Sequence, residues 1–265
     1  MIKNIRLFPN NNLKSMGMFN LVRDKFVSRG FVISDDNFDL GIAIGGDGSF
    51  LRMVKSTDFA SSVYYIGVNT GTLGFLQEVK VDEIDNLIME LECGQYKVED
   101  IFIQETDIIC GLDKFSFYSL NEIVLRDIDL GIVRFDVNIN GNLLEHYIGD
   151  GMLIATSTGS TAHNLSYGGS IVYNTFSSLQ ITPIGPINSK VYSSLINSVI
   201  IPDQMEISIV PNMDKNNLMV IVDGVNNRYL GVDKIATKIG NKKIKCLRFN
   251  KYNFPQKINE KMLND

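Results

Sequence analysis

Histidine, cysteine and long apolar runs are scarce in this 265-residue chain, and each scarcity removes a class of chemistry. Two histidines, His146 and His163, leave no room for an HExxH motif or a three-histidine zinc site, and they weigh against histidine-based triads. Cys93, Cys110 and Cys246 are odd in number and far apart, so no CxxC pair and no disulfide framework is evident. No apolar run approaches the roughly 20 residues of a membrane span, and residues 1–10 read as a strand rather than a leader. A reducing, cytoplasmic setting is expected. Basic residues number 25 against 30 acidic ones, and the formal charge of −5 argues against a general binder of nucleic acid or anionic membrane. The Walker A and GxGxxG motifs are absent as well. Any chemistry must therefore lean on carboxylates, hydroxyls and backbone amides.

The rest of the composition is that of a folded protein, with 45% hydrophobic and 21% charged residues over a length that suits one or two domains. Strands are expected over Ile2–Phe8, Leu40–Ile44 and Val63–Val68, and helices over Leu13–Arg29, Phe50–Lys55 and Asp82–Glu92. This β and α alternation is the signature of a parallel sheet covered by helices. After Gly94 the texture changes. Short strands are expected at Phe102–Cys110, Phe115–Leu120, Glu122–Leu125, Val133–Ile139, Met152–Ala155, Ser198–Ile201, Glu206–Val210, Leu218–Val222 and Lys243–Phe249. Asn140-Gly141 is the strongest hairpin signal. The pattern divides the chain into an α/β domain over 1–98, a β-rich domain over 99–249, and a tail over 250–265 expected to pack back on the first domain.

Gly45-Gly46-Asp47-Gly48-Ser49 joins a buried strand to a helix, where glycine amides at a helix start can form an anion-binding nest. An Asp there would repel a phosphate, which points to a metal ion, a sugar hydroxyl or a proton held beside it. The bland alternative is a helix cap. Gly149-Asp150-Gly151 reads as a second exposed carboxylate, on a hairpin turn, and Asn121-Glu122 as a solvated turn pair. In Thr156–Ser166, rich in hydroxyls, Ser160 or Thr161 is placed to cap a helix beginning near Ala162, and His163 reads as a hydrogen-bonding or stacking residue rather than a base. Phe75 is the aromatic best placed to flank a ligand ring, and the basic stretch Lys238–Lys251 reads as a solvated strand and turn.

In order along the chain, GGDGS (45–49), NTGTLGF (69–75), NE (121–122), GDG (149–151), TSTGSTAHN (156–164) and PIGPIN (183–188) resemble the NAD kinase family. The resemblance implies an α/β N-terminal domain with a parallel sheet, of the phosphofructokinase and diacylglycerol-kinase type, and a C-terminal all-β sandwich. It implies a cleft between the two, and transfer of the ATP γ-phosphate to the adenosine ribose 2′-hydroxyl of NAD, giving NADP. Mg²⁺ or another divalent cation on ATP, and a homodimer or homotetramer with a shared site, follow from the same resemblance. The resemblance leaves open whether polyphosphate also serves as donor. Asp47 matches the family's base or orienting carboxylate. Gly45, Gly46 and Gly48 match the ATP phosphate loop, and Gly48 and Arg52 also face NAD. Phe75, Asn121 and Glu122 match the adenine and ribose contacts, while Thr161, Ala162, His163, Asn164 and Ser166 match their wall. Asp150, Gly185 and Ile187 match positions that receive the nicotinamide end from a neighbouring subunit. Ser157 stands where the family usually has proline, and His163 where it has tyrosine, so a less rigid turn and weaker stacking are expected. The rival readings are a GGDG-type lipid or sugar kinase and a non-catalytic dinucleotide sensor.

Overall fold

The computed structural model describes residues 2–10, 13–71, 74–249 and 253–263. Thr72 and Leu73 of the NTGTLGF loop, and residues 250–252 and 264–265 of the tail, lie outside the described residues. The chain packs as two units, Met1–Ile101 with Lys242–Asp265, and Phe102–Asn241. The boundaries therefore stand at 101/102 and 241/242, whereas the sequence pattern put them at 98/99 and 249/250.

The first unit contains β1 (Asn4–Pro9), α1 (Leu13–Ser28), β2 (Val32–Ile33), β3 (Leu40–Ile44), α2 (Asp47–Ser56), β4 (Tyr64–Asn69), β5 (Val79–Lys80) and α3 (Ile84–Glu92). Its strands are all parallel, in the order β2-β1-β3-β4 with β5 beside β4. The two-residue strands β2 and β5 carry too little alternation to be read from sequence. Strand β3, LGIAI, is buried at every position, as a central parallel strand covered on both faces should be. Val22 and Phe26 of α1, and Ile84, Leu87, Ile88 and Leu91 of α3, enter the same core at their helical spacing.

The second unit is built from most of β6 (Lys97–Cys110), β7 (Asp113–Ser119), β8 (Glu122–Asp127), β9 (Val133–Ile139), β10 (Asn142–Thr156), α4 (His163–Ser166), β11 (Ser178–Pro186), β12 (Val199–Pro202), β13 (Ile207–Pro211), β14 (Leu218–Val222), β15 (Val225–Tyr229) and about half of β16 (Lys234–Arg248). Its strand pairings are antiparallel. Strand β10 organises the unit: residues 142–149 pair with β9, and residues 152–155 pair with β8 on one side and β11 on the other. Asn140 and Gly141 take φ of +47° and +77°, the two positive values of a type I′ hairpin, and they set the β9–β10 register.

Two expectations change here. Gly149-Asp150-Gly151 lies inside the 15-residue β10 rather than on a hairpin turn. Gly149 has ladder partners on both sides, Val133 and Pro186, and Gly151 pairs with Ile184. The stretch Lys243–Phe249 is the end of β16, where Lys245 and Cys246 pair in parallel with Tyr64 and Tyr65 of β4 in the first unit. Helix α5 (Phe254–Met262) follows, opened by Asn253, whose side chain accepts from the Gln256 amide.

Ile42, with 0% exposure at the centre of β3, anchors the parallel sheet. Ile42→Ala should lower stability by about 3 kcal/mol, read as a shift of the urea unfolding midpoint.

Candidate active site

In the first unit the geometry centres on Asp47. Helix α2 starts at Asp47, three residues earlier than expected from the apolar pattern, so Asp47 and Gly48 belong to its first turn. Gly46 is the N-cap and no side chain caps the helix, which removes the capping role for Asp47. Its carboxylate instead reaches a distant loop: Oδ2 accepts from the Phe75 amide at 2.9 Å and Oδ1 from the Leu76 amide at 3.0 Å. A Cβ on Gly74 would collide with this carboxylate, so glycine is what permits the approach. Of the expected phosphate-loop amides, that of Gly45 is committed to the sheet, donating to the Val68 carbonyl at 2.9 Å. Helix geometry leaves the first amides beyond it without intrahelical partners. Arg52, exposed on α2, donates to Asn10 Oδ1 at 2.9 Å and to Ser49 Oγ at 3.2 Å.

Helix α5 packs on the same loop. The Phe254 ring lies 6.3 Å from that of Phe75, and Lys261 Nζ sits 4.6 Å from the Phe75 ring centroid and 3.9 Å from Asp47 Oδ2. These α5 residues carry no motif. The available signal was the spacing of Phe254, Lys257 and Lys261, which shares one helical face.

In the second unit Asn121 and Glu122 are buried, 7% and 6% exposed, so the solvated-turn reading does not hold. Asp223 organises them. Its carboxylate accepts from the amides of Leu120 (2.8 Å), Asn121 (2.8 Å) and Glu122 (3.1 Å). In the sequence Asp223 carries no signal beyond its place just after the expected strand Leu218–Val222. Asn121 Oδ1 and Glu122 Oε2 are buried without a hydrogen-bond partner. Burial, with the Asp223 charge second, pushes the Glu122 carboxyl up to about 8.

The TSTGSTAHN segment leaves β10 against this pair. The Asn121 carbonyl accepts from the Thr156 amide at 2.8 Å, and a Cβ on Gly159 would collide with the Asn121 backbone. Neither Ser160 nor Thr161 caps α4: Ser160 Oγ exchanges hydrogen bonds with Val172, and the cap position falls to Ala162. Ser157 is held without proline, because its hydroxyl donates to the Phe176 carbonyl and lies 3.1 Å from Ser178 Oγ. Asn164 is buried in a side-chain network with Gln180 (2.9 Å) and Thr182 (2.6 Å), a structural post behind the exposed His163 and Ser166. The His163 ring is tilted against Tyr167 at 5.0 Å, and Tyr167 accepts from Arg126 at 2.7 Å. A second group forms across the β10–β11 ladder. The pairs Gly149↔Pro186 and Gly151↔Ile184 place Asp150 opposite Gly185, and the Ile187 amide donates to the Ile148 carbonyl at 2.9 Å.

Among the described residues no cluster of three His, Cys, Asp or Glu side chains forms a metal cage, and no helix is long and apolar enough to cross a membrane.

Residues 14–96 match the model of the ATP-NAD kinase N-terminal domain, and residues 120–248 that of the ATP-NAD kinase C-terminal domain. The chain belongs to the ATP-NAD kinase family. It is 37% identical to an NAD kinase of Finegoldia magna over 98% of both chains, and 32% identical to an NAD kinase of Streptococcus pneumoniae over 91% of this chain and 89% of the relative. Two solved structures share the fold. Yeast NADH kinase complexed with NADH has a TM-score of 0.85 at 21% identity, covering 98% of this chain and 87% of that one. An Archaeoglobus fulgidus NAD kinase in complex with ATP has a TM-score of 0.75 at 18% identity, covering 98% of both. The α/β domain and β-rich domain expected of an ATP-NAD kinase are thus present. The lipid- or sugar-kinase reading is not favoured.

The buried Glu122 makes stability depend on pH in a defined direction. Its folded value of about 8 lies above the ordinary 4.5, so the folded state keeps a proton that the unfolded chain releases. Its contribution is fully present below about pH 4.5, is lost as pH rises toward 8, and levels off above that. Thermal unfolding should show Glu122→Gln gaining on the native protein between pH 5 and 8, by an amount on the order of a few kcal/mol at the plateau.

Proposed function

We propose that this protein transfers the γ-phosphoryl group of ATP to the adenosine ribose 2′-hydroxyl of NAD, giving NADP and ADP. The observation that carries this reading is the end-to-end relationship to NAD kinases, 37% identical over 98% of the chain. In the transfer the 2′-oxygen attacks the γ-phosphorus, its bond to phosphorus forms, and the bond from the γ-phosphorus to the β–γ bridging oxygen breaks. The hydroxyl proton leaves toward Asp47 or through it to solvent. Phosphoryl transfer asks little covalent chemistry of a protein, and positioning with electrostatic stabilisation supplies most of the acceleration.

Asp47 is assigned to orient the 2′-hydroxyl, and Gly46 and Gly48, at the start of α2, to face ATP phosphates with Arg52 beside them. The donor set fits a divalent cation carried by the nucleotide: among the described residues no carboxylate cage forms, Asp47 stands at the loop, and such ions are commonly held by one or two carboxylates plus substrate phosphates. Bound with ATP, Mg²⁺ neutralises charge on the phosphates. The free acceptors Asn121 Oδ1 and Glu122 Oε2 are assigned to hydroxyl or amino donors of NAD. At neutral pH the Glu122 carboxyl, with its raised value, also carries a proton to donate. Phe75 is assigned to an adenine contact, and in the second unit His163, Thr161, Ala162 and Ser166 are assigned to an adenine and ribose wall. Asp150, Gly185 and Ile187 receive the nicotinamide end of NAD bound to a neighbouring subunit, in a homodimer or homotetramer acting in the cytoplasm.

Purified protein with NAD, ATP and Mg²⁺, coupled to an NADP-specific dehydrogenase, should form NADP, and omission of ATP or Mg²⁺ should abolish it. Asp47→Asn should lower kcat by about 10²- to 10⁴-fold, and near-native turnover would remove Asp47 from the reaction. Binding of NAD without any turnover would favour the dinucleotide sensor.

A further inference from the structure

Helix α5 brings a lysine to the loop on which Asp47 depends. The Lys257 side chain is 7% exposed. Its Nζ donates to the Phe75 carbonyl at 3.3 Å and to the Gln77 carbonyl, and lies 4.0 Å from Glu78 Oε2. Those two carbonyls bracket the peptide of Leu76. The amides of Phe75 and Leu76 in turn hold the Asp47 carboxylate. One ammonium thus ties together the stretch whose two N–H groups aim the carboxylate.

The anchor is itself fixed. Glu78 Oε1 accepts from the Phe249 amide at 2.9 Å, and Arg248 Nη1 donates to Glu78 Oε2 at 3.2 Å while Arg248 Nε donates to Glu99 Oε2 at 2.5 Å. Lys257 is a costly residue for a purely structural post. Burial, and then the Arg248 charge, lowers its ammonium to about 8, against the attraction of Glu78, Asp47 and Glu99. An apolar side chain would fill the same volume without that penalty, but it could not donate to two carbonyls at once.

We propose that Lys257 is a positioning residue for phosphoryl transfer, fixing the Phe75–Gln77 backbone so that its amides orient the Asp47 carboxylate. The proposal rests on the assignment of Asp47 to the 2′-hydroxyl, and its effect is on kcat, because a displaced carboxylate loses alignment with the hydroxyl while ATP still binds at the helix start. A misplacement of this kind costs roughly ten- to hundred-fold in rate.

The test compares Lys257→Met and Lys257→Arg in the native and Asp47→Asn backgrounds, below each variant's unfolding midpoint. Lys257→Met should lower kcat roughly ten- to hundred-fold with KM for ATP within twofold, and Lys257→Arg should recover part of the loss. Because the lysine acts through Asp47, the same Met substitution should change kcat less than twofold in Asp47→Asn. Hydrogen exchange without nucleotide supplies a readout independent of turnover: the Phe75 and Leu76 amides should exchange at least tenfold faster in Lys257→Met. If that variant does not fold, Lys257→Gln replaces it. Unchanged exchange at both amides, or an equal loss of kcat in the two backgrounds, would overturn the proposal. Absence of NADP formation by the native protein would count against the proposed function instead, while the exchange result still decides whether Lys257 fixes the loop.

Discussion

The first unit turns on one carboxylate and two amide hydrogens. Asp47 stands at the start of α2, where an unpartnered acid would gain from the helix dipole and could swing among solvated rotamers. The amides of Phe75 and Leu76 remove that freedom, each meeting a different oxygen. A bidentate, charge-assisted pair of this kind is stronger than two neutral hydrogen bonds and fixes orientation as well as position. The adjacent sequence follows from it. Gly74 has to lack a side chain, Gln77 and Glu78 must continue into β5, and α5 has to return from the end of β16 to cover the loop.

The second unit meets the same problem with the roles reversed. Here a carboxylate, Asp223, holds three consecutive amides at 120–122, and the side chains released from that duty, Asn121 and Glu122, keep acceptors without partners. A buried acceptor left unsatisfied by the protein's own donors costs free energy. A ligand that supplies donors recovers it, and this is the physical reason for assigning the pair to NAD. The raised Glu122 carboxyl belongs to the same compromise between burial and a neighbouring negative charge.

Much of the fold was legible because its signals are local. LGIAI reads as a buried parallel strand, Ile84, Leu87, Ile88 and Leu91 read as one face of a helix, and Asn140-Gly141 reads as a hairpin. The motifs of the candidate site stood out in the sequence, but their partners did not. Nothing near Asp47 in sequence announces that its acceptors are spent on residues 28 and 29 positions away, or that Lys257 supports that stretch from about 180 positions away. Gly149-Asp150-Gly151 misled because two glycines usually mark a turn. Here they sit in the middle of β10, where pairing with β11, and for Gly149 with β9 as well, holds the backbone extended. Glu122 misled because polarity was taken for exposure, and the carboxylate that holds its amide, Asp223, arrives from a different hairpin.

The central claim is a particular bond made at a particular oxygen. Phosphorus-31 NMR of the complete reaction with NAD, ATP and Mg²⁺ observes it directly. The account predicts ADP and one new phosphomonoester in equal amounts, the ester located on the 2′-hydroxyl of the adenosine ribose. ADP with inorganic phosphate and no new ester, or an ester at any other hydroxyl, would contradict it.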